Sequence, residues 1–550
     1  MKKIIYILFA LYSLLFDICL SQPTQEWARR YNSPDNMNDN AIDMVLDKSG
    51  NIYITGWCAT ANEGNNIITI KYNSSGVLLW TASYNYSGTY SETPTGIAVD
   101  TSGNVYVAGY TQLSTGTVDW IVVKYNSNGV QQWSRFYANP LGGDDSPSSI
   151  AIDKTQNIYV VGDEGFYPQN NGALLIKYNP AGDSIKVKRY RPTPPQLPWG
   201  QYTGFNKVKI DANDNVYLGG STYNTMTLNV DCFVFKFDSS GTQQWFTNYN
   251  SGGNRQDRLV DMVLDVNNNV YTTGTTSLGS PIDYLTLKFN ANGSLAWASV
   301  YNGTAGGRDY ASAIVVDKNG NNVYVTGKSH GLPSTTDYDY LTIKYNTANG
   351  DSVWVRRYNG GGSGNLQIDE AYSIAIDSLS NTYITGRSIN NAGVFDFATL
   401  KYDSAGNQKW IARYLGIGKK VVVDNSLNVY VTGGNSEAGT GSDYLTIKYS
   451  QPVGIINYSN EVPTSYKLYQ NFPNPFNPTT IIYFSIPVRT NVKMCIYDVL
   501  GKEVELLINE YLNSGNYDIK WDASGYTSGI YFYKITTESY TETRKMILIK

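Results

Sequence analysis

Histidine is almost absent: the chain holds one, His330, in 550 residues. Triads, zinc centres and proton shuttles draw on imidazole as base or ligand, and one imidazole cannot supply them. His330 sits in Lys328-Ser329-His330-Gly331-Leu332-Pro333, which reads as an exposed loop with a solvated side chain. Charge is sparse at 16% of the chain, and 42 basic against 46 acidic residues leave a net −4. That balance offers no general attraction for nucleic acid or an anionic membrane. The four cysteines, Cys19, Cys58, Cys232 and Cys495, form no C-x-x-C pair, so neither a metal knuckle nor a disulfide framework is indicated. Long apolar runs are missing too. The run from Ile4 to Phe16 is shorter than the roughly 20 residues a helical span needs. Lys2-Lys3 before it and Cys19-Leu20-Ser21 after it make residues 1–21 a secretory signal peptide, with no transmembrane span expected beyond.

What the chain does have is 51 Gly and 47 Tyr, a bias toward strands and tight turns. Both belong to a repeat. Asn51-Ile52-Tyr53-Ile54-Thr55-Gly56 returns with its tyrosine at Tyr106, Tyr159, Tyr217, Tyr271, Tyr324, Tyr383 and Tyr430, each followed three residues later by Gly. An Asp precedes each tyrosine by six residues (seven in one copy), from Asp47 to Asp424. A second block ends in Lys-Tyr or Lys-Phe, as at Lys71-Tyr72 and Lys448-Tyr449, and a third carries Trp with Tyr four residues on, beginning with Trp27 and Tyr31. Four short β-rich runs per unit of this length are the pattern of a propeller blade. The chain opens on a lone Trp block and closes on a unit lacking one, so the first strand can complete the last sheet and remove its free edge. The expectation is an all-β chain: an eight-bladed propeller over 22–450 with four-stranded blades and N-terminal closure, a linker over 451–465, and a small immunoglobulin-like β-sandwich over 466–550.

Alternating strand direction puts the uniform Asp-to-Tyr and Asn-x-x-Gly turns on one face and the variable connections on the other, where binding residues are usually carried. Two acids recur on the variable face. One stands eight residues before the hairpin Asp: Asp39, Glu92, Asp145, Asp257, Asp309 and Asp369, with Thr203 and Gly416 in the other two units. The other opens the third strand: Asp119, Asp231, Asp283, Asp339, Asp396 and Asp443. They can be read as a ring of carboxylates binding calcium or a polyhydroxyl ligand. They can also be read as acceptors for backbone N–H groups that pin one blade to the next. Recurrence with the fold's own period favours the second. Trp57, Trp120, Tyr167 and Trp199 fall off the aromatic period near the variable face and are the candidates for stacking on a sugar. Asp211-Ala212-Asn213-Asp214-Asn215 begins like a calcium loop but lacks the Gly and the distal Glu, and reads as a turn.

From Tyr466 the period ends. Pro473-Asn474-Pro475-Phe476-Asn477-Pro478, Tyr497-Asp498-Val499-Leu500-Gly501, Ser528-Gly529-Ile530-Tyr531-Phe532-Tyr533 and the terminal Thr543-Arg544-Lys545-Met546-Ile547-Leu548-Ile549-Lys550 follow in order. This stretch resembles the type A C-terminal sorting domain of the bacterial type IX secretion system, and the repeats resemble the SBBP-type bacterial β-propeller repeat. The resemblance implies a sorting signal that includes Pro473, Asn474, Pro475, Gly529, Tyr531 and Lys545, and recognition by the type IX outer-membrane machinery. It also implies release from, or attachment to, the surface of a bacterium with an outer membrane. The propeller family implies a fold and no activity. Equivalent repeats with no concentration of catalytic groups point to a non-enzymatic binding or adhesion module for a glycan or surface protein, with no cofactor unless calcium. The alternative is a carboxylate-dependent glycan hydrolase or lyase, for which two suitably spaced acids suffice.

Overall fold

The computed structural model describes residues 22–550 apart from 166–171, 191–201, 332–336, 362–367, 452–455, 460–462 and gaps of up to four residues in other connections. The expected signal peptide, Tyr167 and Trp199 lie outside the described residues. Among the described residues every regular element is a β-strand. The chain divides into two compact units, Gln25–Tyr449 and Ser450–Lys550.

The first unit is an eight-bladed propeller. Blade one is Asp39–Leu46, Ile52–Thr60, Gly64–Tyr72 and Leu78–Tyr84, paired in that order. Six blades of the same form begin at Ser91, Ser146, Tyr202, Gln256, Asp309 and Asp369. Blade eight is Ile417–Val423, Val429–Glu437 and Gly441–Ser450, and the N-terminal strand Thr24–Tyr31 is its fourth member, so the ring is closed as the order of blocks requires.

The repeated residues each have a local cause. In the inner hairpin, Asp47 accepts the backbone N–H of Ser49 (2.8 Å) and Asn51 (2.9 Å), the Asn51 amide (2.7 Å) and the Tyr53 hydroxyl (3.0 Å). Asp211 makes the same set, which fixes Asp211–Asn215 as a hairpin turn. All eight inner strands carry a bulge at one place, between residues such as Ala41 and Asp43. The Gly that follows each tyrosine lies opposite it. A Cβ on Gly56 would stand 2.0 Å from the Asn40 carbonyl, and one on Gly386 would stand 1.9 Å from that of Glu370, so no larger residue can occupy the position.

Blades are fastened to one another by the outer tryptophans. Trp80 Nε1 donates to the Ser127 carbonyl in the turn of blade two (3.1 Å), and its indole lies where a Cβ on Gly129 would clash. Trp27 does the same from blade eight to blade one, donating to Ser74 (3.3 Å) and packing over Gly76. Blade three has Lys186 in place of Trp, and its ammonium reaches the carbonyls of Ser240 and Gly241 (both 3.4 Å).

Just past the bulge, the inner strands show a second, slower period. Asp43, Gly96, Ser149 and Lys207 in blades one to four are matched by Asp261, Ala313, Ser373 and Lys420 in blades five to eight. The buried residues that follow them run Met44, Ile97, Ile150, Val208 and then Met262, Ile314, Ile374, Val421. The acceptors tie neighbours together: Asp43, Ser149, Asp261 and Ser373 each accept a backbone N–H from the next blade, at 3.1–3.3 Å. The lysines fall at the two junctions between the halves, Lys420 to Asp43 (3.0 Å) and Lys207 to Asp261 (3.5 Å). The ring is thus two four-blade halves with equivalent seams.

The second unit packs two four-stranded sheets over one core that includes Phe484, Met494, Ile519, Trp521 and Tyr533. Ile456–Ser459, within the segment expected to be a linker, pairs with Gly515–Asp522 at the edge of one sheet.

Because Trp27 is 8% exposed and closes the ring, Trp27→Ala is expected to cost about 3–5 kcal/mol of stability. The measurement is the urea midpoint of the full chain. A shift no larger than that of the exposed-site control Val77→Ala would mean that this indole does not hold the seam.

Candidate functional site

The structure encloses the six recurrent acids. Asp39, Glu92, Asp145, Asp257 and Asp309 are fully buried and Asp369 is 1% exposed. Five of them accept a backbone N–H from the loop arriving from the preceding blade: Ser33 to Asp39 (2.6 Å), Asn139 to Asp145 (2.6 Å), Ser251 to Asp257 (2.7 Å), Gly303 to Asp309 (2.7 Å) and Gly360 to Asp369 (2.8 Å). Glu92 accepts from the Thr111 hydroxyl (3.0 Å). The register sets each acid in a row across its blade, as in Asp309, Ser329, Asp339 and Asp369, Ser388, Asp396. Outer-strand arginines close the row at 2.9 Å, Arg357 onto Asp339 and Arg413 onto Asp396. Among the described residues no three acids, histidines or cysteines converge as metal ligands.

Two expectations are corrected. Trp120 is fully buried, donates its indole N–H to the Asp163 carbonyl (3.2 Å) and meets Tyr137 edge-on, so no face is open for stacking. His330 is no solvated loop residue. It ends the strand Asn322–His330, is 9% exposed and meets Tyr338 edge-on. Trp57 remains half-buried on the second strand of blade one, opposite Asn40. Cys58, Cys232 and Cys495 are buried free thiols.

A cavity of about 910 Å³ opens where the inner strands of blades three to six begin, at the variable-face end of the ring. Its wall includes Asp163, Asn206, Ser221, Gln256, Arg258 and Tyr310. These residues occupy positions where each blade differs from the rest: Arg258 stands where the others have Asn40, Thr93, Ser146, Gly204, Tyr310, Glu370 and Ile417. Burial pushes the Asp163 carboxyl up to about 6, with Asp144 adding to the rise.

Beside the cavity the mouth carries a connected group of charges and rings. Lys328 pairs with Glu370 (2.6 Å) and lies over the rings of Tyr310 (5.0 Å) and Tyr338 (4.7 Å). Arg387 takes the other Glu370 oxygen (2.8 Å), which also accepts the Tyr372 hydroxyl (2.6 Å). Burial raises the Glu370 carboxyl, but Lys328, Tyr372 and Arg387 outweigh it and hold it below its ordinary value. Lys419 covers the Tyr372 ring at 4.8 Å. Composition and motif reading passed over Arg258, Lys328, Glu370 and Arg387; the signal was charge at positions that are uncharged in most other copies.

Residues 470–550 match the family model described as the secretion system C-terminal sorting domain, and residues 84–112, 132–163, 299–332 and 353–391 match the one described as the beta-propeller repeat. The chain carries beta-propeller repeats and a type IX sorting tail. The tail marks the protein as secreted or attached to the outer surface. Within this tail, Pro473 and Pro475 are exposed, and Asn474 is tied to the last strand by the Ile547 N–H (2.9 Å). Gly529 and Lys545 lie on the paired strands Gly529–Thr536 and Thr541–Leu548, and Tyr531 is buried in the core between the sheets. No helix among the described residues is long and apolar enough to cross a membrane.

No curated protein matches the chain. Among solved structures it is similar to PorZ, an essential bacterial surface component of the type IX secretion system of Porphyromonas gingivalis, at 12% identity over 92% of this chain and 74% of that one (TM-score 0.34). It is also similar to a PL25 ulvan lyase, at 11% identity over 71% and 96% (TM-score 0.40). A third is the β-propeller domain of the trilobed protease of Pyrococcus furiosus, at 10% identity over 65% and 94% (TM-score 0.36). These likenesses concern architecture alone.

The buried acids have a measurable cost. Burial pushes Asp145 up to about 7 against the hydrogen bonds from Asn139 and Gly165. A folded-state value above the unfolded one means that this carboxyl's contribution to stability is fully present below about pH 4 and is lost as pH rises through about 7. In Asp145→Asn the decline in urea midpoint between pH 4 and 7 is expected to be shallower than in the parent. Parallel pH profiles would overturn the assignment.

Proposed function

We propose that this is an exported, non-enzymatic binding module that holds a polyhydroxyl ligand at the variable-face mouth of the propeller. The observation that carries the reading is the division of labour among polar residues. Side chains that recur around the ring are largely enclosed and spent on one another, whereas the cavity wall carries, beside apolar residues such as Phe205, Leu259 and Ile282, hydroxyl, amide and charged groups that differ from blade to blade. A site lined by a few convergent polar groups on a rigid ring suits recognition of a sugar chain. The sorting tail supports a setting outside the cell, where glycans and surface proteins are the available partners.

The test is a glycan array and titration calorimetry with the purified full chain. Binding is expected, and Ser221→Trp, which fills the cavity, is expected to weaken it at least about tenfold. Undiminished binding by a folded Ser221→Trp protein would place the site elsewhere.

A second reading, cleavage of the bound glycan, is favoured by Asp163 alone: its carboxyl lines the cavity and is pushed up to about 6, the range in which a carboxylic acid can pass a proton to a leaving group. Glycans that bind are expected to stay intact on prolonged incubation. Cleavage products abolished by Asp163→Asn would replace the binding reading with the enzymatic one.

A further inference from the structure

The two halves of the ring are each other's control. At the two positions past the bulge they match in every pair but Gly96 and Ala313, so the fold asks nearly the same of both; at the mouth they differ, and the difference is therefore not imposed by the fold. It has one direction. Where blades one to four have Asn40, Tyr110, Asp163 and Asn206, blades five to eight have Arg258, Lys328, Arg387 and Lys419. Ser146 is matched by Glu370, which Lys328 and Arg387 share. At these five places the second half holds four cations and one carboxylate, against a single carboxylate in the first. Arg258 is exposed and borders the cavity, and its guanidinium makes a long contact to Gln256 (3.4 Å). Arg308 is exposed beside Tyr310. The chain as a whole is acidic, so this arc is a local inversion of sign.

Building on the proposed glycan site, we infer that the arc on blades five to eight selects an acidic polysaccharide, one bearing carboxylate or sulfate groups, over a neutral one. The guanidinium of Arg258 offers the paired donors that a planar carboxylate or a sulfate takes, and Arg308 adds a second charge along the rim. Tyr310, on the cavity wall beside Arg308, offers an aromatic edge for contact with a sugar. The hydroxyl and amide groups of the cavity serve the rest of the sugar. A polysaccharide is favoured over a nucleic acid because the chain as a whole is acidic and offers no general attraction for a phosphate backbone.

The purified full chain is titrated with polygalacturonate, chondroitin sulfate, neutral dextran and single-stranded DNA at 0.1 M salt. An acidic polysaccharide is expected to bind at least about tenfold more tightly than dextran. The exposed double variant Arg258→Gln with Arg308→Gln is expected to erase that preference, while Lys48→Gln on the opposite face leaves it. Raising the salt is expected to weaken the acidic ligand and spare the neutral one, since exposed charges are screened over about 10 Å at 0.1 M. Dextran binding as tightly as the acidic chains, or an unchanged preference in the double variant, overturns this inference and leaves the glycan site standing. Single-stranded DNA competing on equal terms overturns it in favour of unselective polyanion attraction. Binding of no polysaccharide at all takes down both readings.

Discussion

An indole N–H donated to the turn carbonyl of the neighbouring blade is the contact on which this ring depends. A four-stranded blade has little core of its own, and it buries its faces only against the blades on either side. The Trp at the outer strand sets the spacing between neighbours, and the Asn-x-x-Gly turn supplies both the acceptor and, through glycine, the room for the ring. The Asp hub of the inner hairpin does the matching work at the inner edge, holding Tyr53 and its equivalents where they meet that indole. The closing strand Thr24–Tyr31 makes this same contact once more, from Trp27 to Ser74, while pairing with Gly441–Ser450 from the far end of the ring's sequence.

The chemistry of the molecule follows from that division. Six of the eight blades bury the recurrent acid at the incoming loop, and a buried carboxyl is a poor ligand for anything outside. On the proposed reading, binding falls to the residues at the mouth that repetition does not constrain.

Much of the fold could be read in the sequence because a repeat multiplies each signal eightfold. The Asp, Tyr, Gly and Trp of each block named the strands and turns, and the missing Trp block named the closure. The candidate site was harder for the same reason. Carboxylates that recur stood out against the background, although recurrence marks what the blade needs; Arg258 and Glu370 were inconspicuous because they occur once. Trp120 stands off the aromatic period, which marks it as a stacking candidate in the sequence, yet it fills the space between blades two and three. His330 was misjudged because Gly331 and Pro333 signalled a loop one residue too early.

The paired seams give the ring an arithmetic. Lys207 and Lys420 each pair with an Asp on the blade that follows, and at that position only blades one and five supply one. Loss of blade five would set Lys207 beside Ala313, and loss of blade one would set Lys420 beside Gly96. Loss of a whole half would return a lysine to an aspartate at the one junction left. The repeating unit of these joints is accordingly the tetrad of blades, and a ring that differed by one tetrad would keep its joints already made.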